Sequence, residues 1–150
     1  MNFVRDYDPT YYPFQGTGHI WFDPGRGTKH FDPHWALLLT DQKIIDYYGW
    51  LAGRSGMHIN LRGLWGPHIS FIKGEEPTRN RTIWGEAYYR PVEFYYSNII
   101  RTDEDDVSTR RKKSMHAWLD VWSEDLFKIR TVFGLRPKNT FHLTLGLLKQ

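Results

Sequence analysis

The feature that most constrains this chain is a short apolar run that occurs twice. Trp65-Gly-Pro-His-Ile-Ser-Phe-Ile-Lys73 is echoed by Thr140-Phe-His-Leu-Thr-Leu-Gly-Leu-Leu148. Each has the composition of a strand, and in each a histidine precedes a hydroxyl residue by two positions: His68 and Ser70, then His142 and Thr144. Side chains at i and i+2 of a strand share a face. Each run therefore offers an imidazole beside a hydroxyl, and two such strands laid together would surround one point with two of each. With seven histidines in 150 residues, chance alone supplies about one His-x-Ser/Thr match, so the count decides little. Context carries the weight, because both runs are strand-like and each follows a predicted helix.

The order of the remaining elements makes the echo more than local. Residues 1–17, rich in Tyr, Pro and Gly, read as an irregular arm. Strands are expected at Gly18–Phe22 and His34–Leu39, then a helix capped by Thr40 or Asp41 and ending near Gly53–Gly56. His58–Ile72 is strand-like and holds the first motif, and Gly74–Arg81 is a polar loop. Thr82–Tyr89 and Val92–Ile100 read as two more strands. Asp103–Asp106 suits the start of a helix, whose apolar stripe of Met115, Trp118, Leu119, Trp122, Leu126, Ile129 and Phe133 ends at Gly134 and Pro137. The last strand carries the second motif, 74 residues after the first (142 − 68). Strands, helix and motif strand thus occur twice, within a single domain spanning 1–150.

Composition narrows the class. A hydrophobic fraction of 40% and an aromatic fraction of 17% oppose disorder. No apolar run is long enough to span a bilayer, and Met1–Asp6 carries no apolar signal region. The chain has no cysteine, so neither disulfides nor thiolate metal sites are available. A cytoplasmic protein is the expectation. A net charge of +3 suits a small anionic ligand better than a long nucleic acid. Seven Trp, nine Tyr and nine Phe exceed what such a core needs, which leaves rings for base stacking or for interfaces.

His68-Ile-Ser70 with Phe71, and His142-Leu-Thr144 with Phe141, Leu145 and Gly146, resemble the paired His-x-Thr/Ser motifs of the 2H phosphoesterases. With the duplicated order of elements, the resemblance covers about two-thirds of the chain. It departs at Ser70, where threonine is commoner; serine keeps the hydroxyl donor and loses the stiffening methyl. The resemblance implies an α+β, bilobal fold of two related αβ halves, with a central antiparallel-rich sheet and a shared cleft. It also implies a phosphodiesterase, possible relatives being the small phage enzymes that degrade cyclic oligonucleotide immune signals. In that case the protein would work in the host cytoplasm.

The chemistry agrees. Cleaving a phosphodiester needs a proton removed from the attacking oxygen, one delivered to the leaving oxygen, and donors for the non-bridging oxygens. Two imidazoles share the first two tasks near neutral pH, and Ser70 and Thr144 supply donors. The scheme requires no metal and no cofactor. His68, Ser70, His142 and Thr144 are the expected catalytic residues, with the order of base and acid open. Trp65, Tyr11, Tyr12, Trp21, Arg62 and Lys73 are the expected substrate-binding residues, Trp35 and Arg136 being further candidates. His30 and His34 flank Pro33, which breaks a helical metal pair. His116 is expected on the solvated side of its helix, and Arg110–Lys113 on an exposed helix face. The expected substrate is a small nucleotide or cyclic oligonucleotide. The alternatives are RNA ends bearing 2′,3′-cyclic phosphates, and a binding protein that sequesters a nucleotide without cleaving it.

Overall fold

The computed structural model describes residues 6–29, 31, 33–60, 66–103, 116–138 and 140–148. The first half runs β1 (Phe14–Phe22), β2 (Trp35–Leu39), α1 (Gln42–Arg54), β3 (Ile59–Asn60) and β4 (His68–Lys73). The second runs β5 (Pro91–Tyr96), β6 (Arg101–Thr102), β7 (His116–Trp122), α2 (Glu124–Val132) and β8 (Phe141–Leu148). The class is mixed α/β with antiparallel pairing. Neighbours run β8-β4-β2-β1-β5-β7, and β7 pairs back onto β8, so six strands close into a barrel. Each half gives three barrel strands and one helix between the second and third. The halves meet twice, where β4 lies beside β8 and where β1 lies beside β5.

Local chemistry explains three of the helix ends. The Asp41 carboxylate accepts from the Lys43 backbone N–H at 2.9 Å and starts α1. Ser123 does the same for α2, accepting from the Leu126 N–H while its own hydroxyl donates to the Glu93 carbonyl at 2.8 Å. Gly134, with φ +69°, lets the chain leave α2 in the left-handed region. Alternate residues of the barrel strands, among them Ile20, Leu38, Ile69, Phe94, Leu119 and Leu143, form one buried cluster. Ile45 and Tyr48 of α1 and Leu126, Phe127 and Phe133 of α2 join it.

Three expectations need correction. The stripe from Met115 to Phe133 is not one helix, because His116–Trp122 is a strand and only Glu124–Val132 is helical. β7 is buried on both faces over Ala117–Val121. A doubly buried strand gives a near-continuous apolar run, which periodicity does not separate from a helix. Residues 82–89 do not form a strand: Arg81–Ile83 is a 3-10 turn and the chain keeps turning to Tyr89. Trp84 within this turn donates its indole N–H to Asp23 at 2.8 Å. The arm expected through residue 17 ends sooner, since β1 begins at Phe14.

A buried ion pair locks α2 to the end of β4. Arg130 is 1% exposed. Its guanidinium donates to both Glu75 carboxylate oxygens at 2.8 Å, to the Phe71 carbonyl at 2.8 Å and to the Arg136 carbonyl at 2.7 Å. The Arg130 hydrogen bonds hold the Glu75 carboxyl below its ordinary pKa, against the opposing effect of its burial. A carboxylate with a depressed folded-state pKa adds stability above its unfolded pKa and loses it as pH falls through the folded value. Glu75→Gln is therefore expected to flatten the acid limb of thermal stability below the ordinary carboxylate pKa. Melting curves from pH 3 to 7 check this.

Candidate active site

The four motif residues come together. Ile69 of β4 pairs with Leu143 of β8, and both are fully buried. In an antiparallel pair, directly opposed residues point the same way and their neighbours point the other. His68, Ser70, His142 and Thr144 therefore stand on the face opposite this part of the core. The same register sets His68 against Thr144 and Ser70 against His142. The two histidines are diagonal neighbours, about 7–8 Å apart at the backbone.

Registers of the other strands extend this face in two rows. Asp120 pairs with His142, Ser70 with Leu37, and Leu37 with Trp21. Trp118 pairs with Thr144, His68 with Leu39, and Leu39 with His19. Trp21, expected from sequence as a binding residue, thus shares the motif face, two strands from Ser70.

Each imidazole is held differently. The His68 Nδ1 lies 2.7 Å from the Gly66 carbonyl oxygen. A carbonyl only accepts, so Nδ1 carries the hydrogen and Nε2 is left for chemistry. The His142 ring stacks on Trp118, with centroids 5.0 Å apart and planes at 27°. Its Nε2 lies 3.5 Å from the Asp120 carboxylate. Burial lowers the His142 pKa from its ordinary value. Asp120 opposes that shift, whereas the positive charges of Lys73, Arg101 and Lys138 reinforce it.

Asp120 organises this corner. It is 3% exposed and accepts from the Tyr11 hydroxyl at 2.6 Å, Arg101 at 3.1 Å and the Trp118 indole N–H at 3.1 Å. A buried carboxylate costs several kcal/mol unless it is paired and hydrogen-bonded, and here it is both. The residues before β1 bind the same region. Tyr7 packs on Tyr95 and Trp122 with centroids 4.5 and 4.9 Å away, and its hydroxyl donates to the Tyr12 carbonyl.

The cations gather on one side. Lys73 ends β4, and Lys138 follows α2. Burial lowers the Lys138 pKa, and Arg130 and Lys73 push it further down. Lys73 is exposed and Lys138 half-buried, and like charges that repel each other in this way favour an anion between them.

The expected binding residues divide. Lys73 lies within electrostatic reach of His142, and Tyr11 contacts the site through Asp120. Tyr12 does not serve as a stacking platform: it is 2% exposed, set edge-on to Tyr11, with its hydroxyl 3.4 Å from Thr140. Trp65 and Arg62 lie outside the described residues, as do His30 and Arg110–Lys113. Arg136 is exposed and contributes its carbonyl to Arg130. His116 is on a strand, with its Nδ1 3.3 Å from Asp103. Sequence reasoning missed Asp120, Trp118, Arg101 and Lys138. The first two were hidden by reading β7 as helix; with strand spacing, Trp118 and Asp120 alternate as the motif pairs do. Arg101 and Lys138 carry no local signal.

No protein-family model, curated protein or solved structure matches this chain. Among the described residues, no helix is long and apolar enough to cross a membrane.

Proposed function

We propose that the protein is a phosphodiesterase of the 2H type, acting in the cytoplasm on a small nucleotide or cyclic oligonucleotide by two-histidine acid–base catalysis. The observation that carries this reading is the Ile69–Leu143 pairing, which sets two imidazoles and two hydroxyls on one face of adjacent strands. The finer fold belongs to the same reading: the two three-strand halves are the two lobes, and the face they share along β4 and β8 is the cleft.

The roles follow from the surroundings. His142, with its lowered pKa, is neutral near neutral pH and takes the proton from the attacking oxygen, either a water or an adjacent ribose 2′-hydroxyl. His68 delivers a proton from Nε2 to the leaving oxygen. The Ser70 and Thr144 hydroxyls donate to the non-bridging oxygens, and Lys73 and Lys138 offset their charge. No step requires a metal.

Asp120 tunes the base. Its negative charge raises the His142 pKa, so Asp120→Asn is expected to lower that pKa and move the acidic limb of the pH–rate profile to lower pH. Rates of wild type and variant from pH 4 to 9 check this.

The test of function is incubation with cyclic dinucleotides and with RNA ending in a 2′,3′-cyclic phosphate, both with chelator present. The reading expects His-dependent product from the cyclic nucleotide. Product from the RNA alone moves the substrate class to RNA ends, and binding without product replaces the enzyme with a sequestering protein.

A further inference from the structure

Where β1 ends, the chain turns around a cavity of about 650 Å³ lined by Trp21, Asp23, Arg26, Trp84, Glu86 and Tyr88, among others. Ligand pockets commonly measure about 300–1,000 Å³. One wall is fixed in advance. Asp23 is 7% exposed and sits in the left-handed region at φ +48°. Its carboxylate accepts from the Trp84 indole at 2.8 Å, the His34 backbone N–H at 2.8 Å and Arg26 at 3.4 Å. Trp84 is braced edge-on by Phe22 at 4.9 Å and Phe133 at 5.1 Å. Tyr88, by contrast, is 54% exposed at the rim.

The lining chooses its guest. Among the described residues that line it, the one cation, Arg26, already meets Asp23, and Glu86 adds a further negative charge. A phosphate is repelled by such a set. A flat, neutral ring is not, because aromatic side chains stack any base and carboxylates accept from exocyclic amines. Position supplies the link to the motifs. Trp21 is in register with Leu37, and Leu37 with Ser70, so the Trp21 backbone stands two strand spacings, about 10 Å, from that of Ser70.

We infer that this cavity binds a nucleobase of the substrate, one attached near the phosphate held by His68 and His142, and prefers amino-bearing bases to uracil. The inference rests on the phosphodiesterase reading above. It makes the substrate at least a nucleotide whose base is recognised apart from its phosphate.

Calorimetric titration with AMP, UMP and ribose 5-phosphate tests it, using wild type, Tyr88→Ala and Glu86→Gln. AMP is expected to bind at least about tenfold more tightly than ribose 5-phosphate, the usual scale of base stacking. Tyr88→Ala should remove about that factor for AMP and leave ribose 5-phosphate unchanged. Glu86→Gln should narrow the preference for AMP over UMP. Equal binding of AMP and ribose 5-phosphate, or a Tyr88→Ala variant that weakens both alike or neither, overturns the inference. Those results leave histidine-dependent cleavage standing. An AMP preference lost in Tyr88→Ala, in a protein whose cleavage ignores His68 and His142, would support the cavity and sink the catalytic reading.

Discussion

Replacing either His68 or His142 with alanine is expected to lower phosphodiester cleavage by about 10²–10⁴-fold, the usual worth of one positioned proton transfer. The double replacement should cost little more than either single one, because groups that act as a unit are non-additive. Substrate affinity should change less than turnover, since on this proposal Ser70, Thr144 and the two lysines would still meet the phosphate. The geometry behind this is the shared face of β4 and β8, fixed by the Ile69–Leu143 pair. Rates measured with chelator present, on single and double variants, check it. Melting curves of the same variants separate lost chemistry from lost folding, because His142 also stacks on Trp118 beside the buried Asp120.

Arg130→Met is expected to destabilise the fold by about 3–5 kcal/mol, the scale on which removing one partner of a buried ion pair acts. The loss has identifiable parts. Glu75 would keep its charge without the paired guanidinium, and the carbonyls of Phe71 and Arg136 would lose their donor. For a chain of this size that corresponds to a fall of roughly 10 °C in Tm. Replacing Glu75 and Arg130 together by apolar residues should recover part of the loss, because no charge is then stranded. Thermal melts of the single and double variants separate the two outcomes. The pair lies close to Lys73 and Lys138, so the single variant should also weaken phosphate binding.

Much of this was legible in the chain. The recurrence of His-x-Ser/Thr located both motif strands, and the reading placed a helix ahead of each of them, as α1 and α2 are. Asp41 and Gly134 marked helix ends for local reasons that tertiary contacts did not override. β7 was illegible because burial on both faces erased its alternation. With it went Trp118 and Asp120, the residues that orient His142. Barrel closure through β7 and β8 is a pairing between segments that no local pattern announces. Tyr12 shows the same limit, since its place in an aromatic, Pro-rich stretch suggested an exposed ring and its contact with Thr140 needed the fold. Lys138 comes within electrostatic reach of Lys73 through the fold, two residues after the Arg136 carbonyl that Arg130 holds, and no spacing in the chain announces it.

The claim that His68 and His142 serve one phosphate is tested most directly by histidine-selective NMR during titration with inorganic phosphate. Both imidazoles should shift with one shared dissociation constant, and the His142 pKa should rise as the anion binds beside it. Shifts at one imidazole only, or at the two with different affinities, would contradict a common site.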